Sequence, residues 1–332
     1  MILLCYGTRP EWIKIKPLIK QMKRKKIKFK VLFTGQQKDI AEVSEADYTH
    51  SIPDGYGNRL DRVVISCLSM PESFFSGVDR VLVQGDTATA FGLALAAFHR
   101  KINVIHLEAG LRTYDKHNPY PEEIYRQMIS RMADIHLCPT TSNVQNLMNE
   151  SVDGRIARTG NTAIDNLVEN YIKPKETDLV LVTLHRRENH DMMDVWFEEI
   201  NKIAIEHPEL KFVLPIHPNP NVKKHRSILT NVQVVDPIPH DQLVTMIAES
   251  NLIITDSGGI QEEGSFFNKK VIVCRKVTER PESLSLTSFL CPDPKELSNL
   301  FSKTIKMKIA NHRCPYGDGD AAREIVELLQ YV

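Results

Sequence analysis

The chain has 332 residues, enough for two separate cores at about 150 residues per domain. Lys plus Arg and Asp plus Glu each number 42, so the formal net charge is zero and the overall charge points neither to nucleic acid nor to an anionic membrane. The opening MILLCYGTRPE has no basic start and meets Arg9 and Glu11 at once, fitting neither a signal peptide nor an anchor, and no apolar run approaches a membrane span.

Short apolar strands alternate with amphipathic helical stretches from end to end, the pattern of doubly wound parallel sheets. In the first half the pattern predicts strands at 2–6, 30–34, 81–84, 104–107, 135–138 and 155–158, with helices at 11–25, 88–100 and 121–133. The basic run KRKKIKFK, 23–30, falls between the first helix and the second strand and reads as a solvated helix end. The polar stretch YIKPKET, 171–177, carries Pro174 and reads as an interdomain linker. Strands restart at 179–183, 212–215, 232–235, 252–255 and 271–274, and GDAAREIVELLQYV, 319–332, reads as a last amphipathic helix returning across the hinge. The expected organisation is an α/β domain over 1–170, a second over 171–315 and a closing helix over 316–332, giving two Rossmann-like doubly wound domains facing a central cleft. Six scattered cysteines without a CxxC pair read as reduced thiols of a cytoplasmic protein.

Three acids stand out. Asp86 in VLVQGDT and Glu108 in VIHLEAG directly follow predicted strands, where an open α/β sheet presents residues to its ligand crevice. Asp86 also reads as a helix N-cap, whereas Glu108 precedes Ala109-Gly110, a turn rather than a helix start. Glu122 and Glu123 follow Pro121 in a first helical turn, where acids suit the helix dipole, so one of the pair is expected to be structural.

Two strand-to-helix turns have the makings of anion sites. Gly7-Thr8-Arg9-Pro10-Glu11 offers a tight turn, backbone amides expected to be free, and the charge of Arg9. In IITDSGGIQEE, Ser257, Gly258 and Gly259 open a helix, so a diphosphate can approach the backbone, while a glutamate there is expected to take neutral hydroxyls such as a ribose. His185, after the strand at 179–183, is expected to face the cleft; His217 in PIHPNP and His106 in VIHLEAG read as packing or turn histidines. No GxGxxG, Walker A, HExxH or compact His/Cys set occurs, so neither a nicotinamide, a flavin nor a metal is expected.

GTRPEWIKIKPL, QGDTATAFGLALAAF, HLEAGLRT, PYPEEIYRQ, TGNTAIDNL, TLHRRENH, PIHPNP, TDSGGIQEE, TERPES and PYGDGDAA, taken together and in this order, resemble the non-hydrolysing UDP-N-acetylglucosamine 2-epimerases over nearly the whole chain. The resemblance implies the two-domain GT-B fold, interconversion of UDP-N-acetylglucosamine and UDP-N-acetylmannosamine without a cofactor, and a homodimer. By the same resemblance Asp86, Glu108, Glu122 and His185 are catalytic. Arg9, Lys14, Arg112, His217, Ser257, Gly258, Gly259, Glu262 and Arg280 are placed with the substrate. One departure is Gln36-Gln37-Lys38-Asp39-Ile40, where bacterial members carry a QHRxML-like stretch tied to activation by a second substrate molecule. A hydrolysing relative that releases N-acetylmannosamine, or a glycosyltransferase on the same fold, would use similar parts.

Overall fold

Along the first strand, β1 (Ile2–Tyr6), Ile2, Leu4 and Tyr6 enter one core and Leu3 and Cys5 another, because successive strand residues point to opposite faces of a sheet. The computed structural model describes residues 1–37 and 44–331, and the chain falls into two units, Met1–Val168 with Gly317–Val332, and Glu169–Tyr316. Of the departing stretch at 36–40, residues 38–40 lie outside those described.

The first unit continues with α1 (Arg9–Arg24), β2 (Phe29–Phe33), β3 (Tyr48–Thr49), α2 (Arg59–Leu68), β4 (Arg80–Gln84), α3 (Ala88–His99), β5 (Asn103–Leu107), α4 (Glu122–Ser130), β6 (Ile135–Cys138), α5 (Thr141–Asn149), β7 (Arg155–Arg158) and α6 (Thr162–Glu169). Its strands are parallel in the order β3-β2-β1-β4-β5-β6-β7. Leu82, Ile105 and Leu137 share one core with Trp12, Ile15 and Leu18 of α1. Val81, Val83 and Val104 share the other with Val63 of α2 and Leu93 of α3. Each such aliphatic side chain contributes about 1.5–3 kcal/mol by leaving water.

The second unit holds β8 (Leu179–Thr183), α7 (Met193–Glu206), β9 (Lys211–Pro215), α8 (Pro220–Lys223), β10 (Gln233–Val235), α9 (His240–Glu249), β11 (Leu252–Thr255), α10 (Gly258–Phe266), β12 (Lys270–Val273), β13 (Ser288–Leu290) and α11 (Leu297–Thr304). Its parallel order is β10-β9-β8-β11-β12-β13. The stretch read as a linker is tied into this unit: Lys175 N–H donates to the Ala248 carbonyl at 2.9 Å, and the Lys269 amine donates to the Lys175 carbonyl. The last helix, α12 (Ala321–Gln330), belongs to the first unit, where Ala322, Ile325, Val326 and Leu329 join the core around α1.

Each sheet changes winding direction once, between β1 and β4 and between β8 and β11. Ligands of open α/β sheets bind beyond the carboxyl ends of the strands flanking such a point. The turns after these four strands hold Gly7 to Glu11, Asp86, His185 and Asp256 to Gly259.

Candidate active-site groups

In the first unit the turn after β1 is closed from within. Glu11, 1% exposed, accepts from Gly7 N–H (2.9 Å), Thr8 N–H (2.7 Å) and the Thr8 hydroxyl (2.8 Å), and its other oxygen accepts from the Thr87 hydroxyl at 2.7 Å. Arg9 N–H donates to Gln37 Oε1 at 3.1 Å. The amides expected to be free for an anion are therefore engaged, which corrects the sequence reading: Thr8 and Glu11 form a capping box whose T-x-x-E spacing was present in the sequence. Burial pushes the Glu11 carboxyl up, and its four donors oppose that shift.

Asp86 is not a cap, because Thr87 caps α3 by accepting from Ala90 N–H at 3.0 Å. The Asp86 carboxylate takes a hydrogen bond from Arg126 Nη2 instead, and Arg126 also reaches Glu123 at 3.4 Å. Glu108 has φ +65°, a left-handed conformation that costs a non-glycine residue on the order of 1 kcal/mol. Lys14 Nζ lies 2.6 Å from both its oxygens, Gln84 Nε2 also donates to it, and Asn161 Nδ2 stands at 3.3 Å.

The two adjacent glutamates divide as their helix position suggests. Glu123 is fully buried and accepts from Thr113 N–H (3.0 Å), Tyr114 N–H (3.1 Å) and Gln127 Nε2 (2.8 Å), fixing the loop before α4. Glu122 is half-buried at the first position of α4. Arg112 is buried against Glu150 through Nε and Nη2 (2.7 and 2.9 Å), with Nη2 on Ser130 and Nη1 on the Leu111 carbonyl. It braces the framework where the sequence reading had set it against substrate.

In the second unit Ser257 caps α10, accepting from Ile260 N–H at 3.5 Å, and the Gly258 and Gly259 amides that follow have no acceptor among the described residues. Here the helix start is open where that of α1 is filled. A Cβ on Gly258 would lie 2.2 Å from Arg280 Nη1, whereas one on Gly259 would meet only Ser257 Oγ, at 3.9 Å. Arg280 is held by Glu262 through Nε and by Glu279 through Nη1, both at 2.5 Å. Glu262, placed with the substrate by the resemblance, is almost fully buried in that ion pair, and Glu263 lies 2.8 Å from His240 Nε2.

His185 stacks on His217 with centroids 5.0 Å apart, and its Nδ1 lies 3.5 Å from buried Asp256. Asp256 in turn accepts from the amides of His185 (2.9 Å) and Arg186 (2.8 Å) and from Asn189 Nδ2 (3.0 Å). Desolvation lowers the pKa of His185 against the opposing pull of Asp256, and burial followed by the charge of His185 lowers that of His217. His217 Nδ1 accepts from Asn219 N–H at 3.1 Å, a turn role alongside the stacking. His106 is fully buried with Nε2 2.8 Å from the Gly85 carbonyl, and burial pushes it down to about 3.

The structure thus pairs Lys14 with Glu108 and Asp86 with Arg126 in the first unit, which also carries Arg9 and Glu122, and in the second it stacks His185 on His217 and sets Arg280 on Glu262 beside Gly258, with Ser257 and Gly259 in the same turn. Sequence reasoning passed over Glu11, Gln84, Arg126, Asn161 and Asp256. Glu11 had a local signal, and Asp256 lies inside the TDSGG motif. Gln84, Arg126 and Asn161 acquire their contacts only through long-range folding. Among the described residues no group of three or more His, Cys, Asp or Glu side chains is arranged to hold a metal ion, and no helix is long and apolar enough to cross a membrane.

Two Rossmann-like α/β units, each with candidate groups beside its sheet's switch point, define the GT-B fold class. The solved glycotransferase of kitacinnamycin shares the fold at a TM-score of 0.58 and 11% identity, over 99% of this chain and 94% of that one. Beyond fold, the chain belongs to the UDP-N-acetylglucosamine 2-epimerase family, whose model matches residues 20–330. It is 33% identical to the UDP-N-acetylglucosamine 2-epimerase of Salmonella borreze, over 98% of this chain and 97% of that one. It is 35% identical to that of Neisseria meningitidis, over 99% and 98%. A crystal structure of a Neisseria meningitidis UDP-GlcNAc 2-epimerase bound to UDP-GlcNAc matches with a TM-score of 0.93 at 34% identity and covers all of both chains.

Proposed function

We propose that this chain is a cytoplasmic, homodimeric, non-hydrolysing epimerase that interconverts UDP-N-acetylglucosamine and UDP-N-acetylmannosamine at carbon 2. The observation that carries the reading is a division of chemistry. The first unit sets Asp86 and Glu108 on Arg126 and Lys14 beside a switch point, while the second offers two open helix-start amides next to Arg280. Proton transfer needs the former, and a departing diphosphate needs the latter.

The carbon-2 proton has no neighbouring carbonyl, so it becomes acidic only as the bond from carbon 1 to UDP lengthens and positive charge grows at the anomeric centre. A carboxylate then takes that proton, the carbon 1–oxygen bond breaks, a carbon 1–carbon 2 double bond forms, and 2-acetamidoglucal and UDP result. Return of UDP to carbon 1 with protonation of carbon 2 from the opposite face gives the epimer. We assign Asp86 and Glu122 as the exchange pair. Glu108, held by Lys14, Gln84 and Asn161, orients the sugar, and Arg112 braces the loop that carries it. Arg9, Arg280, Ser257, Gly258 and Gly259 receive the diphosphate, Glu262 keeps Arg280 in place, and His185, backed by Asp256 and stacked on His217, assists at the phosphate.

The test is turnover of UDP-N-acetylglucosamine in heavy water followed by NMR. Deuterium at carbon 2 of both UDP-sugars with no free sugar supports the reading. Release of N-acetylmannosamine makes the enzyme a hydrolase, and complete retention of the original proton through many turnovers removes the elimination route.

A further inference from the structure

A helix start can lend its amides to a ligand anion, but α1 gives them to an anion of its own chain. All four partners of Glu11 donate to it, so both its oxygens act as acceptors, the role of an ionised carboxylate. The fourth partner belongs to another strand's turn. The Thr87 hydroxyl gives its proton to Glu11 Oε1 at 2.7 Å and receives the Ala90 amide at 3.0 Å, so one hydroxyl ties the start of α3 to the start of α1. Thr87 directly follows Asp86.

Other contacts leave these turns little slack. Thr89 gives its amide and hydroxyl to Gln36 Oε1 at 2.9 and 2.7 Å, and Gln37 N–H reaches the Gly7 carbonyl at 2.7 Å. A Cβ on Gly7 would stand 2.3 Å from Thr89 Oγ1 and 2.4 Å from Thr34 Oγ1. The turns after β1, β2 and β4 are joined side by side, and among the side chains that make these links, Glu11, Thr87, Thr89 and Gln36, Glu11 is the carboxylate.

We propose that Glu11 is a positioning residue for the reaction, a buried carboxylate that acts through Thr87 to fix the backbone presenting Asp86. Its target rests on the epimerase reading above, in which Asp86 exchanges the carbon-2 proton. Arg126 holds the carboxylate end of Asp86, and the Glu11–Thr87 link holds its peptide end. Replacing Glu11 by Gln keeps a carbonyl oxygen for the three donors on Oε2 but sets an NH₂ against Thr87, whose hydroxyl can no longer donate to a carboxylate there, so the Thr87 link is the contact that weakens.

The experiment uses the full chain as E11Q, T87V, T87S and the E11Q/T87V double variant, with initial rates on UDP-N-acetylglucosamine and hydrogen exchange of peptides covering 5–12 and 85–92. E11Q and T87V should each lower kcat about ten- to a hundred-fold, the cost of roughly 1 Å of misplacement, with KM within about three-fold of wild type. The double variant should be within about two-fold of the slower single one, because both remove the same link. T87S keeps the hydroxyl and should retain at least about half of kcat, and exchange at 85–92 should quicken in E11Q, T87V and the double variant but not in T87S.

Unchanged kcat in folded E11Q, multiplying losses in the double variant, or T87S as slow as T87V overturns the proposal. If E11Q does not fold, the T87V and T87S pair decides the question in the same way. If the wild type turns over no UDP-sugar, the epimerase reading fails by itself, and exchange still judges the link: quickened 85–92 in E11Q or T87V upholds it, and unchanged exchange overturns it.

Discussion

Substituting alanine for each of two neighbouring glycines should have opposite effects. Neither Gly258 nor Gly259 has a left-handed φ, and at both helix propensity favours alanine by up to about 1 kcal/mol. Their surroundings differ. A methyl on Gly258 would sit 2.2 Å from Arg280 Nη1, 2.7 Å from Cζ and 3.1 Å from Nε. Reaching an ordinary carbon contact near 3.4 Å would require the guanidinium to move by about 1.2 Å. It cannot move freely, because Glu262 and Glu279 each hold it at 2.5 Å and all three side chains are buried. Disrupting buried ion pairs costs about 3–5 kcal/mol, so after the helix gain Gly258→Ala should lose about 2–4 kcal/mol. Gly259→Ala should be neutral or gain up to about 1 kcal/mol.

Thermal melts at one protein concentration would read this as a fall of about 2–4 °C per kcal/mol for Gly258→Ala and no fall for Gly259→Ala. Titration calorimetry with UDP would then show weakened binding for both, because a methyl on Gly259 lies where a diphosphate would approach the amides. Equal melting temperatures for the two variants would refute the steric argument. An unaltered UDP affinity in Gly259→Ala would refute the assignment of the diphosphate to this helix start.

Other expectations follow from the same contacts. Glu122→Gln should reduce turnover by about a hundred-fold or more at an unchanged melting temperature, whereas Glu123→Ala, which strips the acceptor from the Thr113 and Tyr114 amides, should lose about 2–4 kcal/mol of stability. Arg126→Met leaves Glu123 buried without its cation and should cost about 3–5 kcal/mol together with most activity, measured by urea unfolding and initial rates. Asp165 accepts from Ala322 N–H at 2.8 Å, and burial raises its pKa to about 6 from 3.8. The folded state therefore binds the proton more readily than the unfolded state, so this contribution to stability is greatest below 3.8 and falls as pH rises toward 6. Asp165→Asn should consequently be more stable than wild type at pH 7.5 and should flatten the wild-type decline between about pH 4 and 6, as read by urea midpoints across pH.

The sequence reading recovered the buried apolar strands 2–6, 135–138, 179–183 and 252–255 at their observed bounds, and also the more exposed edge strand 155–158. It missed β3 and β13, edge strands of two and three residues whose pairing depends on a neighbour rather than on a local pattern. Acid placement at strand ends was legible for the same reason as the strands. The partners of those acids were not: Asp86 meets Arg126 across 40 residues, and Glu108 meets Lys14 across 94. The error over the Gly7 turn had a different source. A capping box and an anion site both begin with small and hydroxyl residues before a helix, and only the position of Glu11 distinguishes them.

The return of α12 to the first unit makes the two units unequal in the order they can be finished. The second unit is one uninterrupted stretch, while the core around Trp12, Ile15 and Leu18 lacks Ile325, Val326 and Leu329 until roughly 150 further residues have been made. At about 5–20 residues per second, that apolar face waits on the order of ten seconds on the ribosome for its cover. Shortening or fusing the carboxyl end is therefore an intervention on the amino-terminal half, and a fragment intended to isolate that half needs residues 317–332 supplied, in cis through a new linker or as a separate peptide.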